Sequence, residues 1–313
     1  MKPLLGLLLS LLCNSVCGQV VFPAGLQLDT LIYTNEPFMV IRYAAPEPFM
    51  LSRLDFTDDF RKRFNYETAP TGKKMDDTLQ RQLSRKVCLE SLFDQTDARV
   101  NRRMNFDRRY FQAKEILIDQ IIENELYLPG MDSTLYASLN FTADYMGKEV
   151  SGTLYLKKVK APYSFRWKII DASVPFLHSQ KDPEYVKTVL ADTTLKYIRS
   201  NAHETNFLSL YSLLRSGTPL LKLTDESGVN NRALIALSKS IQTKQCVLDQ
   251  FSVSIFIPVT DNWVVKLENF TRESENSGWL ISDLYSELSG SQLPHLLRNY
   301  FPGLYQPLKP SSK

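Results

Sequence analysis

The residues best suited to chemistry are two aspartates that recur in one short pattern. Trp167-Lys-Ile-Ile-Asp171 and Trp279-Leu-Ile-Ser-Asp283 share the order Trp-x-Ile-x-Asp. A general acid or base would need a carboxylate with a shifted pKa inside a cavity. A structural requirement that occurs twice explains a duplicated residue more directly. We therefore expect Asp171 and Asp283 to accept backbone hydrogen bonds where a strand ends.

The two tryptophans of this pattern are predicted to be core residues. Each indole ring can bury a large apolar area between a sheet and its helices. If each half of the chain encloses a cavity, Trp167, Trp279, Asp171 and Asp283 are the residues that would mark it.

The cysteines allow two interpretations. Cys88 would act as a nucleophile only with a base beside it and a lowered pKa, and no histidine is near it in sequence, so an inert thiol is favoured. Once residues 1–18 are removed, Cys88 and Cys246 are the two cysteines that remain. An oxidising compartment would permit a disulfide between them, whereas two buried thiols would act as small apolar groups.

Histidine is scarce in the sequence. None of His178, His203 and His295 lies at metal-ligand spacing from another histidine or a cysteine, so we expect no metal site and no cofactor. His203-Glu204 is predicted to be a solvated helix terminus. The sequence also has no Gly-rich phosphate loop and no Gly-x-Ser-x-Gly or His-Glu-x-x-His motif.

Residues 99–110 mix arginines with aromatic side chains, a combination that nucleic-acid-binding proteins use. The same segment leads into an apolar helical stripe, and the net charge of the chain is only +3. We therefore predict a charged helix start and no nucleic-acid partner.

The first 18 residues have the layout of a secretory signal peptide. Lys2 gives a positive start, residues 4–12 are mostly apolar, and Val16 and Gly18 precede a cleavage site before Gln19. The apolar run is too short to span a bilayer, and no later segment is long enough, so we predict no transmembrane segment. An exported protein, periplasmic or extracellular, is expected. Outer-membrane association through a lipid on Cys13 or Cys17 stays open.

Four Asp-(Ser/Thr)-x triplets are similar to the O-glycosylation sites of exported Bacteroidota proteins. They begin at Asp29, Asp77, Asp132 and Asp192.

Alternating hydrophobicity predicts two three-stranded antiparallel meanders. The first has strands at residues 135–145 and 150–156 and ends in the strand that contains Trp167. The second has strands at residues 251–257 and 263–267 and ends in the strand that contains Trp279. Since the two agree in order and in their apolar faces, they predict a duplicated unit.

Helical periodicity precedes each meander. The first half predicts helices from Asp76 or Asp77 to residue 92 and from 110 to 126, and the second predicts helices at 186–198, 207–214 and around 234–237. Helices followed by strands within each half indicate an α+β protein rather than βαβ crossovers.

Helices followed by long antiparallel strands that end in Trp-x-Ile-x-Asp resemble the NTF2-like (cystatin-like) superfamily. The resemblance covers about residues 76–172 and 183–285. It implies two units, each with a curved sheet, helices on the concave side and a cone-shaped pocket beside the tryptophan.

The predicted organisation has five parts. They are a signal peptide (1–18), a lead-in with one strand near 38–43 (19–60), a first α+β domain (61–175), a second α+β domain (183–300) and a loose tail (301–313).

These patterns predict an exported, non-catalytic protein whose paired units bind another protein or a component of the cell envelope. The alternative is a small-molecule-binding protein or an enzyme that uses one NTF2-like pocket.

Overall fold

The computed structural model describes residues 30–32, 40–42, 51–100, 105–130, 135–178, 181–226, 228–273 and 276–301. The strands are β1 (Thr30–Ile32), β2 (Val40–Arg42), β3 (Tyr136–Tyr145), β4 (Lys148–Ala161), β5 (Ser164–Ser173), β6 (Ile198–Arg199), β7 (Cys246–Thr260), β8 (Trp263–Phe270) and β9 (Gly278–Tyr285). The helices are α1 (Thr57–Phe64), α2 (Asp77–Gln82), α3 (Arg85–Glu90), α4 (Arg108–Glu123), α5 (Pro183–Ala191), α6 (Leu208–Arg215) and α7 (Arg232–Gln242). The predicted α+β class is confirmed.

Both predicted meanders are present, as β3–β4–β5 and β7–β8–β9. The expectation of a separate sheet for each half is wrong. β3 and β7 pair antiparallel and join the meanders into one open sheet with the order β6-β5-β4-β3-β7-β8-β9. The pairing gives partners to the backbone groups that an unpaired first strand of each meander would leave free. Two repeated units are therefore not confirmed.

The strands follow the period-two pattern. On β3, Leu139 and Phe141 are buried, whereas Asn140 and Asp144 are exposed. The β3–β4 hairpin turns at Met146 and Gly147, where φ is +55° and +80°. Positive φ at both positions suits a tight turn between right-handed twisted strands.

The helix predicted from residue 76 to 92 is two helices, α2 and α3. Asp76 caps α2 by accepting from the backbone N–H groups of Thr78 and Leu79, and Ser84 caps α3 by accepting from Val87. The extended residue Leu83 lies between them. Ser84 lies inside the apolar stripe and starts a new helix there. The apolar periodicity alone does not reveal this second helix start.

The helix predicted over 186–198 ends early, because α5 stops at Ala191. The side chain of Asp192 accepts from the N–H of Thr194 and so turns the chain away from helical geometry. Ile198 then pairs with Trp167 across β6 and β5.

The helices cross over between the meanders. α1 and α4, from the first half of the chain, contact β9 of the second meander, and α7 contacts β5 of the first meander as well as β7. The inner face of the sheet is the face that these helices cover. Its buried apolar side chains form one core that includes Trp167 and Trp279.

Segments from the helical regions also pair with both edges of the sheet. Trp279 N and Ile281 N on β9 donate to Leu54 O at 2.9 Å and to Leu92 O at 2.8 Å. On β5, Ile169 O accepts from Asp225 N at 3.1 Å, next to the short strand β6. These bonds occupy part of the backbone groups at the two edges, which limits edge-to-edge association.

The opposite face is called the outer face. Six of its apolar residues lie beneath a C-terminal segment that contributes Leu293, Leu297 and Phe301. The six are Tyr136, Tyr155, Ile170, Phe256, Val264 and Tyr285. The segment includes a 3₁₀ helix at His295–Tyr300.

The predicted domain boundaries stay a prediction, although the end of the lead-in at residue 60 falls inside α1. The lead-in strand near 38–43 is present as β2, which pairs with β1. The signal peptide, Cys13, Cys17 and residues 302–313 of the predicted tail lie outside the described residues.

Candidate functional site

Both predicted marker tryptophans lie in the core, each 0% exposed. Trp167 donates from Nε1 to Ser200 O at 3.0 Å, and its ring makes T-shaped contacts with the rings of His203 and Phe207. Trp279 lies on β9, at the other side of the sheet. The structure therefore does not bring the two indoles together into one site.

Asp171 and Asp283 lie at matching β-bulges. The register shifts between Tyr155 and Leu156 opposite Asp171, and between Lys266 and Leu267 opposite Asp283. Each carboxylate accepts from the N–H of the next residue, at 2.7 Å for Ala172 and 2.9 Å for Leu284. These are backbone hydrogen bonds of the kind expected from the sequence, near the end of each strand.

The remaining partners of these carboxylates lie outside the strands that carry them. Asp171 accepts from Asn231 Nδ2 at 2.6 Å, where Asn231 caps α7. Asp283 accepts from Arg99 Nη1 and Ser291 Oγ, both at 2.8 Å. Because each carboxylate is held by several donors, it is suited to fixing a helical segment against the sheet rather than to transferring protons.

Cys88 and Cys246 are both buried free thiols. Burial raises the pKa of Cys88 to about 12, although the positive charges of Arg63 and Arg85 oppose the shift. Burial likewise raises the pKa of Cys246 to about 11. At neutral pH both residues are thiols rather than thiolates, so neither is prepared for nucleophilic attack.

The pair His203-Glu204 is not the solvated helix terminus that we expected. His203 is 3% exposed and the Glu204 side chain 13% exposed. Thr57, in the first turn of α1, meets both: its Oγ1 donates to Glu204 Oε1 at 2.5 Å and lies 3.0 Å from His203 Nε2. Its N–H donates to Glu204 Oε1 at 3.0 Å. No local pattern predicts this contact, because the partner is in the other half of the chain.

The cluster of Thr57, His203 and Glu204 contains a hydroxyl, an imidazole and a carboxylate, as catalytic triads do. In a triad the carboxylate binds the imidazole nitrogen that faces away from the nucleophile. Here Glu204 lies 3.1 Å from Nε2, the nitrogen that also faces Thr57, and Nδ1 has no partner among the described residues. The arrangement therefore joins α1 to the 3₁₀ helix Ala202–Thr205 and does not align a proton relay.

Burial by itself would raise the pKa of Glu204. The hydrogen bonds from His203 and Thr57 outweigh burial and hold that pKa below its usual value. The carboxylate is thus ionised at neutral pH, and it satisfies an N–H group at the start of α1 that has no intrahelical partner.

An open groove of about 440 Å³ lies on the sheet where the two meanders join. Six of its lining residues share the outer face by register: Asn140, Thr142, Ser151, Thr153, Ser173 and Ser252. The other lining residues are Phe141, Gly152, Pro175, Gln250 and Phe251. None of these side chains carries a charge, so the groove offers hydrogen-bond donors and acceptors together with apolar contacts.

A β-bulge shapes this groove. The β3–β7 register shifts between Phe141 and Ala143, and bulges are frequent beside binding sites because they redirect side chains. Gly152 faces Phe141, and a Cβ at Gly152 would lie 2.5 Å from the Phe141 ring. The groove was missed from the sequence, where its polar residues indicated only a solvent-facing side of each strand.

Two kinds of feature are absent from the described part of the chain. It contains no group of three or more His, Cys, Asp or Glu side chains placed to hold a metal ion. None of its helices combines the length and apolar character that crossing a membrane requires.

Comparisons with known proteins gave no match to a family model, to a curated protein or to a solved structure. The resemblance to NTF2-like proteins therefore stays a prediction.

Proposed function

We infer that this chain is a non-catalytic binding protein and that its ligand contacts the outer-face groove. The groove itself carries this proposal: it is open, uncharged and lined by hydroxyl and amide groups from four strands. A partner that offers hydrogen bonds and a small apolar surface fits such a lining, as a protein segment or an envelope component does.

The groups best suited to catalysis support the same proposal, because each is either held in a structural hydrogen bond or buried. Asp171 and Asp283 hold the bulges, Glu204 holds the start of α1, and the two thiols are buried.

Site-specific photo-crosslinking tests the proposal. A photoreactive residue placed at Ser252 or Thr153 should yield one defined adduct in cells of the native host. The adduct should be lost when Asn140→Arg is added, because a long charged side chain would fill the groove.

The control position is Thr188 on α5, which is exposed and lies outside the groove. A groove-specific ligand gives no adduct at Thr188. The same adducts at all three positions, or none at Ser252 and Thr153, would reject the groove as the binding surface.

Export, periplasmic or extracellular, is part of the proposal and is supported by the layout of residues 1–18. N-terminal sequencing of the mature protein should begin at Gln19. A mature chain that retains residue 1 would contradict export by this route.

The alternative, a ligand pocket beside Trp167 or Trp279, would place the ligand on the inner face, where both rings are enclosed. A ligand there would have to displace packed side chains and change the tryptophan fluorescence. A ligand in the groove would not.

A further inference from the structure

A pair of arginines faces each other at one edge of the sheet. Arg166 on β5 and Arg199 on β6 are direct cross-strand partners. Side chains in such positions have Cβ atoms about 5 Å apart, and like charges placed there are destabilising. Neither arginine forms a salt bridge with a carboxylate in the described part of the chain.

A third cation adds to the pair. Lys168 lies two residues from Arg166 on the same face of β5, and its Nζ donates to Thr224 O at 2.9 Å. Burial lowers the pKa of Lys168, and the charge of Arg166 lowers it further, although Asp225 opposes both effects. The charges of Arg166 and Lys168 are therefore close enough to repel each other.

The donors of Arg166 are also incompletely used. Its Nε is buried and has no hydrogen-bond partner among the described residues. Two carboxylates lie near the arginine pair: Asp225, whose charge acts on Lys168, accepts from the N–H of Gly228, and Asp171 is held by Asn231 and Ala172. Arg199, in contrast, is exposed to solvent.

The fold does not require cations at this edge. Gly278 takes the place of Arg166 before the second Trp-x-Ile-x-Asp pattern, and it faces Leu54 rather than an arginine. The second meander thus forms the same strand and bulge with no charge at this position. Repulsion at the edge of the first meander needs an explanation other than folding.

We propose that Arg166, Arg199 and Lys168 form a binding site for a phosphate group, either free or carried by a larger ligand. Two planar guanidinium groups can each make paired hydrogen bonds to a tetrahedral oxyanion. A dianion between them offsets the repulsion of the two guanidinium groups. The site is separate from the outer-face groove, so either can be rejected without the other.

Isothermal titration calorimetry of the full chain with inorganic phosphate tests the site. The wild type should bind, and Arg166→Gln or Arg199→Gln should weaken the affinity at least about tenfold. Arg166→Lys keeps the positive charge but loses the planar guanidinium that can make paired hydrogen bonds. Its affinity should therefore fall between those of the wild type and Arg166→Gln.

Thermal unfolding separates binding from a structural role. Phosphate should raise the Tm of the wild type but not that of the double variant Arg166→Gln, Arg199→Gln. Without phosphate, the double variant should be at least as stable as the wild type, because the repulsion is gone. If the double variant fails to fold, the calorimetric order of wild type, Arg166→Lys and Arg166→Gln still decides the proposal.

Lys148→Gln is the matched control, since it removes one charge from the exposed β3–β4 hairpin. It should leave phosphate binding unchanged. No binding by the wild type, undiminished binding by the arginine variants, or an equal loss in Lys148→Gln would each overturn the proposal.

Vesicles distinguish the source of the phosphate. If phosphatidylcholine vesicles that contain phosphatidic acid sediment the wild type but not the double variant, the ligand is a lipid headgroup. If phosphate binds and these vesicles do not, the ligand is a soluble phosphate compound. Equal sedimentation of wild type and double variant would count against the site.

Discussion

The last strands of the two meanders share several features, but the edges of the two meanders differ. Each last strand carries a buried tryptophan, an isoleucine that bonds to a segment from a helical region, and an aspartate at a bulge. At the position before the tryptophan, the first meander has Arg166 opposite Arg199, and the second has Gly278 against Leu54. Features that repeat serve the fold, whereas those that differ are free to serve other tasks.

Gly278 and Arg166 give the largest expected difference. Gly278 has φ of +91°, and a Cβ there would lie 2.2 Å from Leu54 O. Gly278→Ala should therefore destabilise the protein by at least about 3 kcal/mol. Arg166→Ala should change stability by less than about 1 kcal/mol.

Urea unfolding of both variants measures the contrast. Similar losses at the two positions would show that Arg166 has a structural role equal to that of Gly278.

The two tryptophans should be equally costly to truncate but not equally costly to replace by phenylalanine. Trp167→Ala and Trp279→Ala should each cost about 3–5 kcal/mol, since both rings are fully buried. Trp167→Phe leaves Ser200 O without its donor, whereas Trp279→Phe removes an indole N–H that has no partner among the described residues. Trp279→Phe should therefore be the milder change by about 1–3 kcal/mol. Chemical denaturation of the four variants measures this order, and a milder Trp167→Phe would contradict it.

The contact between Thr57 and Glu204 joins the two halves of the chain, and Glu204→Gln should cost about 1–3 kcal/mol at neutral pH. The folded-state pKa of Glu204 lies below its unfolded value of about 4.5, so this stabilisation is complete above pH 4.5. It is lost as the pH falls through the folded-state pKa.

Unfolding curves across that pH range measure the effect. The difference between wild type and Glu204→Gln should shrink below pH 4.5. Glu287→Gln, at an exposed position in the turn after β9, is the control and should have little effect at any pH. A difference that is constant with pH would exclude the ionised carboxylate as its cause.

The bulge aspartates should show the smallest contrast. Asp283→Asn weakens an ion pair with Arg99 and should cost about 1–2 kcal/mol, whereas Asp171→Asn alters a bond to the neutral Asn231 and should cost about 0.5–1 kcal/mol. Added salt should reduce the loss at Asp283 and leave that at Asp171 unchanged. Equal salt dependence in thermal unfolding would contradict this assignment.

The strands were predictable because alternation of apolar and polar residues is local information. The pairing of β3 with β7 was not, since a strand that is apolar on one face fits several partners equally well. The helix errors have local causes that compete with apolar periodicity, namely the cap at Ser84 and the turn at Asp192.

For the candidate sites, the sequence predicted the buried tryptophans and the hydrogen-bonded aspartates. It did not predict the groove, because its lining comes from four strands whose order depends on the β3–β7 pairing. The contact of Thr57 with His203 and Glu204 was likewise not predictable, because the three residues come together only when the helices of each half pack on the meander of the other.

Separate expression of residues 51–178 and 181–301 tests our claim that each half of the chain supplies the cover for the meander of the other. Circular dichroism and thermal unfolding should show no cooperative transition for either fragment alone. Mixing the fragments should restore one transition. Two fragments that each unfold cooperatively by themselves would contradict the claim and favour two independent domains.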